Sequence, residues 1–318
     1  MFQRPFALCA AALAAILVLL ANPVAAQTPA TPPAAAAPTD GRLFADSRLI
    51  VRDRFSVEVV GQGPDLVLIP GLAASREAWR ATAEHLRGRY RLHLVQIAGF
   101  AGEPARANAQ GDVVVPTAEG LDAYIREQGH GPVVLVGHAL GGAVALYIAA
   151  HDPAHVRKVM VVDSMPFYGL LFGGQSSTPQ TVTALADSVR NGPPMAGDEF
   201  NKTVAELVGG EDDRRHVIAW NQASDSGAVN RALADDIVLD LRPSLSALKT
   251  PVTVLYPDNL PNGVPAKYGD EAYAAAFAAV PHKTLTRIAN SRHFVMLDQP
   301  QAFQAALDGF LTARNKGS

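Results

Sequence analysis

Apolar residues recur along this chain with two alternating periods, and the alternation predicts its elements. Leu66-Val67-Leu68-Ile69 is a continuous apolar run suited to a buried strand. Phe55 to Val60 alternates polar and apolar residues and leads into that run through the turn Gly61-Gln62-Gly63-Pro64. The two together read as a hairpin entering a sheet. A helical stretch follows, with Trp79, Ala83 and Leu86 at spacings of four and three, and then the strand Tyr90 to Ile97. A second amphipathic helix carries Leu121, Tyr124 and Ile125, and Val133-Val134-Leu135-Val136 reads as a central strand buried on both faces. A helix opens near Leu140 and stops near Asp152-Pro153, ahead of the strand Val159 to Val162.

Strands alternating with helices predict parallel βαβ units, and therefore an α/β fold with a doubly wound, mostly parallel sheet. The alternation fails once. From about Pro166 to Ser246 the sequence is polar and helix-compatible, with turn clusters such as Asn191-Gly192-Pro193-Pro194 and no strand pattern. It reads as an inserted helical cap over 165–246, with the core supplied by 41–164 and 247–318. The alternation resumes with Val252 to Tyr256, a helix carrying Tyr273 and Phe277, the strand Thr284 to Ile288, and a last helix with Phe303, Leu307, Phe310 and Leu311 on one face.

Composition narrows the picture. The 318 residues are 48% hydrophobic and 18% charged, which excludes disorder and coiled coil. A formal charge of −3 leaves no electrostatic footprint for nucleic acid or a membrane surface. The only cysteine is Cys9, so no disulfide framework or cysteine-ligated metal can be built from one chain. Arg4, the apolar run Phe6 to Leu20 and the small residues Val24-Ala25-Ala26 before Gln27 read as a secretory signal peptide over 1–26. That run is short for a membrane span, so no stable anchor is expected after cleavage, and the setting is periplasmic or secreted. Residues 27–40 contain four prolines and no large apolar residue, and read as a disordered tether.

Candidate chemistry gathers after two strands and before the last helix. Gly137-His138-Ala139-Leu140-Gly141-Gly142 follows a buried strand and opens a helix, the context of a G-x-S-x-G nucleophile elbow, here with alanine at its centre. The plain alternative is a tightly packed glycine-rich turn. His293, in Asn290-Ser291-Arg292-His293-Phe294, sits in a loop before the last helix, where the order elbow, acid, histidine places a base. Asp258, ending Leu255-Tyr256-Pro257-Asp258, is the favoured acid, and Asp163, ending Val161-Val162-Asp163, is its competitor. The glycine turn Pro70-Gly71-Leu72 could lend the Leu72 amide, with that of Leu140, to an oxyanion hole. His138 reads as a packing residue, and His151 and His155, separated by a proline, as a solvated helix end rather than a metal pair.

From about Arg48 to Leu311 the chain resembles the α/β-hydrolase superfamily. Its PGLAAS turn is similar to the superfamily's HG-x oxyanion turn, with Pro70 where His is usual. GHALGG resembles GHSLGG with Ala139 in the serine's place, and SRHFVMLDQPQAF resembles the family's histidine loop. The resemblance implies Ala139 as the nucleophile position, Asp258 as acid, His293 as base, and Leu72 and Leu140 as oxyanion amides. No cofactor is expected, since the only glycine motif is the elbow and no phosphate-cradling loop follows the first strand.

A methyl group cannot attack a carbonyl, so as written the chain is not expected to be a competent serine hydrolase. Three readings fit: an ester- or lactone-hydrolase scaffold whose serine has been exchanged for alanine, which the otherwise complete positions favour; a natural binding protein; and a His-Asp dyad acting as general base without a nucleophile. Met165 to Phe172 leads from the sheet edge into the cap, where Phe167 and Phe172 are expected either to line an apolar pocket for a small ester or lactone or to seam cap to core.

Overall fold

The computed structural model describes residues 41–128, 131–194 and 196–313. The leader expected over 1–26 and the tether over 27–40 lie outside the described residues. Strands β1 (Arg48–Val51), β2 (Phe55–Val60), β3 (Asp65–Ile69), β4 (Arg91–Ile97), β5 (Val133–His138), β6 (Val156–Val162), β7 (Val252–Pro257) and β8 (Lys283–Ile288) form one sheet. Their order is β1-β2-β4-β3-β5-β6-β7-β8. β2 pairs antiparallel with β1 and β4, and the strands from β4 to β8 run parallel.

Parallel strands need crossover helices, and these cover both faces of the sheet. Helices α1 (Arg80–Leu86), α2 (Val114–Gln128) and α3 (Leu140–His151) make the first crossovers. Successive residues of β3 point to opposite faces: Val67 and Ile69 join a cluster with Leu121 and Tyr124 of α2 and Val144 of α3, while Leu66 and Leu68 join another with Trp79, Leu86 and Phe303. All four of those β3 residues are buried, which is why the strand reads as an unbroken apolar run.

The expected hairpin does not form. β2 lies antiparallel beside β4, with Val57 opposite Val95, while β3 is inserted between β4 and β5. The turn instead carries the chain across the end of β4, where the Arg91 amide donates to Pro64 O at 3.0 Å. Edge strand β1 has a half-exposed pattern with no alternation strong enough to announce it.

Between β6 and β7 the chain forms α4 (Leu170–Gly173), α5 (Pro179–Arg190), α6 (Gly197–Leu207), α7 (Glu211–Ala223), α8 (Ser226–Val238) and α9 (Arg242–Leu245), with no strand among the described residues. α10 (Ala266–Ala276), α11 (Val295–Asp298) and α12 (Pro300–Thr312) complete the fold. The strand order reverses around β3: β3 connects to β4 on one side, and β4 connects back past β3 to β5 on the other. The carboxyl ends of β3 and β5 therefore open a crevice at the switch point, where ligands bind in open α/β sheets.

Candidate active site

Ala139 lies between β5 and α3 with φ 48° and ψ −122°, a region that side chains rarely adopt. Two close approaches hold it there. A Cβ on Gly137 would stand 2.1 Å from Gly141 O, and one on Gly141 would stand 2.4 Å from Ile69 O. Strand, turn and helix can pack this tightly only with glycine on either side of residue 139. Strain of this kind costs on the order of 1–3 kcal/mol and persists where the surroundings impose it. Here it thrusts a methyl group to the end of the central strand, into a cavity that Ala139 lines.

His293 reaches the same cavity from the loop between β8 and α11. Its Nδ1 lies 2.7 Å from Asp163 Oδ2, and the other carboxylate oxygen accepts from the Tyr273 hydroxyl. A carboxylate can only accept, so Nδ1 carries the proton of that hydrogen bond and the neutral ring keeps its lone pair on Nε2. Asp163 follows β6, the neighbour of β5, with its amide bonded to Leu255 O at 2.8 Å and φ at 46°. The expected pairing of His293 with Asp258 is thus corrected to Asp163. Asp258 accepts from the Ser291 amide at 3.3 Å, and the Asn259 amide donates to Ser291 O at 3.0 Å, so the end of β7 braces the loop two residues before the histidine. Tyr273 was readable only as part of a helix's apolar face, although a buried tyrosine hydroxyl calls for a partner.

His138 packs its ring on His293 and Phe294, at centroid separations of 4.5 and 4.6 Å, and its Nε2 donates to His293 O at 3.1 Å. Burial, reinforced by His293, holds its pKa well below the usual histidine range. It is a neutral spacer under the His293 ring.

Leu72 and Leu140 line the cavity beside Ala139. Leu140 opens α3, so its N–H has no carbonyl one turn earlier in that helix. The turn after β3 passes close enough that a Cβ on Gly71 would be 3.1 Å from the Ala139 methyl. Gln96 of β4, which sequence reasoning missed, fixes this turn from behind: its Oε1 accepts from the Arg76 amide at 2.8 Å and its Nε2 donates to Ala74 O and Phe100 O. A polar residue near the end of an otherwise apolar strand was its only signal.

The opposite wall comes from Phe200, Thr203 and Leu207 of α6, Val217 and Asn221 of α7, and Leu233 and Asp236 of α8. Of the segment leading out of β6, Met165, Tyr168 and Leu171 line the cavity. Phe167 and Phe172, entertained as pocket residues, do not. Phe167 is fully buried in the core with the Arg242 guanidinium 4.5 Å from its ring centroid, and Phe172 packs edge-on against Tyr168. The chain turns helical at Leu170, which sends the two rings into the seam between cap and core. Among the described residues, no group of three His, Cys, Asp or Glu side chains could hold a metal.

The sequence model of the alpha/beta hydrolase family matches residues 66–306. The chain is 29% identical over 262 residues to the pimeloyl-(acyl-carrier protein) methyl ester esterase of Aeromonas salmonicida, a match covering 78% of this chain and 95% of that protein. Among solved structures, a hydrolase from Pseudomonas aeruginosa PA01 superposes with a TM-score of 0.66 at 17% identity, over 85% of this chain and 99% of that one. The esterase EaEST from Exiguobacterium antarcticum superposes with a TM-score of 0.65 at 19% identity, over 81% and 96% of the two chains.

Proposed function

The chain belongs to the alpha/beta hydrolase family, and from that premise we propose that it is a carboxylic-ester hydrolase scaffold whose nucleophile position is filled by Ala139. The observation that carries this is the strained Ala139 at the strand end, in one cavity with a His293 whose Nδ1 is bonded to Asp163. The esterases among its relatives support the same reading.

With serine at 139, the Nε2 of His293 takes the hydroxyl proton as Oγ attacks the ester carbonyl. Negative charge then develops on the carbonyl oxygen, and the Leu72 and Leu140 amides are the donors available to it. The imidazolium, stabilised by Asp163, returns its proton to the departing alkoxide, and water repeats the sequence on the acyl-enzyme. With alanine, binding and polarisation remain and attack is lost. The apolar side chains of Met165, Leu171, Phe200, Leu207, Val217 and Leu233 favour a small or medium apolar ester or lactone. The leader-like N-terminus favours action in the periplasm or outside the cell.

The test is turnover of a short-chain nitrophenyl ester by the chain beside its Ala139→Ser variant. The serine is expected to raise the rate by about three or more orders of magnitude. Background rates in both, across acyl and lactone substrates, would transfer the reading to a binding protein, which the alanine itself favours. Turnover by the unaltered chain that disappears in His293→Ala would indicate a His-Asp general base instead.

A further inference from the structure

Helix α8 carries two adjacent carboxylates with opposite fates. Asp235 is fully engaged: its Oδ2 accepts from the Val113 and Val114 amides at 2.6 and 3.1 Å, and its Oδ1 accepts from Arg190 at 2.7 Å. It caps α2 and ties α5 to α8. Asp236 is equally buried, at 9% exposure, yet it lines the cavity and has no hydrogen-bond partner among the described residues. Leu233, one turn earlier on the same helix, lines the same cavity, as does Tyr168, whose hydroxyl lies within electrostatic reach of Asp236.

An unpaired carboxylate in such a place is costly unless something else solvates it. Burial, with Asp235 adding to it, pushes the Asp236 carboxyl up to about 7. Burial, and then Asp236 and Asp163, push the Tyr168 hydroxyl up as well, so the three acidic groups share one field at this end of the cavity. Among the described residues, no lysine or arginine lines the cavity to offset it. A second negative charge entering there meets repulsion, whereas a hydrogen-bond donor or a cation supplies the partner the fold withholds.

We infer that Asp236 is a specificity residue on the cap wall, which accepts a hydrogen bond from a donor group on the substrate's chain, hydroxyl or ammonium, and rejects a carboxylate. The inference rests on the ester-hydrolase reading for the identity of the ligand, while its binding step is independent of turnover. The apolar walls hold the hydrocarbon and the cap carboxylate reads what the chain carries beyond it. Asp236 thereby sets which esters the scaffold retains.

Because Ala139 prevents attack, binding can be measured on the full chain as it stands. The probes are methyl esters of acids four to eight carbons long, ending in methyl, hydroxyl, ammonium or carboxylate, titrated calorimetrically at pH 8. The hydroxyl and ammonium esters are expected to bind about tenfold more tightly than the carboxylate ester of equal length, the size of effect a charge-assisted hydrogen bond supports. Asp236→Asn should keep the hydroxyl ester within about threefold and abolish the ammonium-over-carboxylate preference, since the amide still accepts but carries no charge. Asp236→Leu should make the methyl-terminated ester the best ligand. Unchanged ratios in both variants, or no binding of any probe by the parent, overturns the assignment. The same four esters given to Ala139→Ser separate the two claims: turnover with ratios insensitive to Asp236 retains the hydrolase and removes the subsite. Asp236-dependent binding without turnover does the reverse.

Discussion

At the scale of the residue, Asp163 spends one oxygen on Tyr273 and the other on His293, which fixes the imidazole and its tautomer together. Asp258 instead accepts from a backbone group, the Ser291 amide. In the Ala139→Ser background, Asp163→Asn is expected to lower kcat for a nitrophenyl ester by about four orders of magnitude, because an amide can present its N–H to Nδ1 and reverse the tautomer. Asp258→Asn keeps an oxygen for the Ser291 amide and should leave kcat within about threefold. Equal losses from the two would return Asp258 to the catalytic pair. Chain order made both aspartates eligible, and a hydrogen-bonded contact between residues 130 positions apart made the choice.

At the scale of the element, the loop carrying His293 is strapped to the cap. Asp298 of α11 accepts from the Gly209 amide and from the Arg292 amide, each at 2.7 Å, while the Phe294 amide donates to Leu207 O at 3.2 Å. Arg292 adds donations to Ala205 O and Val208 O. The end of α6 and the histidine loop are therefore tied together. Asp298→Ala removes the acceptor of two amides and should cost about 1–2 kcal/mol in urea unfolding. With serine restored it should also lower kcat/KM by roughly tenfold through misplacement of the base. Asp308→Ala, which breaks only the half-exposed pairs to His85 and Arg89, is the control and should leave kcat/KM unchanged. Helices and central strands were legible because their apolar periods report burial. The supposed hairpin and strand β1 were not, because pairing partners are set by which edge of the sheet remains free.

At the scale of the whole molecule, a second Asp-His-Tyr group lies at the other end of the sheet. His93 bridges Asp65, at 3.0 Å, and the Tyr124 hydroxyl, at 2.7 Å. Its ring is 1% exposed, against 23% for His293. That group is structural, and its effect is on stability. Burial raises the Asp65 pKa, but the hydrogen bonds from His93 and Arg91 outweigh it and bring the carboxyl down to about 2. The folded value is below the unfolded one, so this contribution is complete above pH 3.8 and is lost as the pH falls toward 2. Asp65→Asn should remove on the order of 2 kcal/mol of the parent's acid sensitivity in that window, read by denaturant unfolding at pH 2 and 5. Asp236 has the opposite sign. Its folded value, about 7, lies above the unfolded 3.8, so its stability is complete below pH 3.8 and is lost as the pH rises through 7. Asp236→Asn should therefore raise Tm by roughly 4 °C or more at pH 8 and change it little at pH 4. By itself the sequence determined the alternation of strands and helices, the break at the cap, the glycine-flanked turn at Ala139 and the histidine loop, because burial periods and steric demands act locally along a chain. Only the tertiary structure decided which aspartate meets His293, that Phe167 and Phe172 turn into the seam, and which of two Asp-His-Tyr groups opens onto a cavity. Those outcomes depend on strand order and on the direction of single side chains, which no local pattern records.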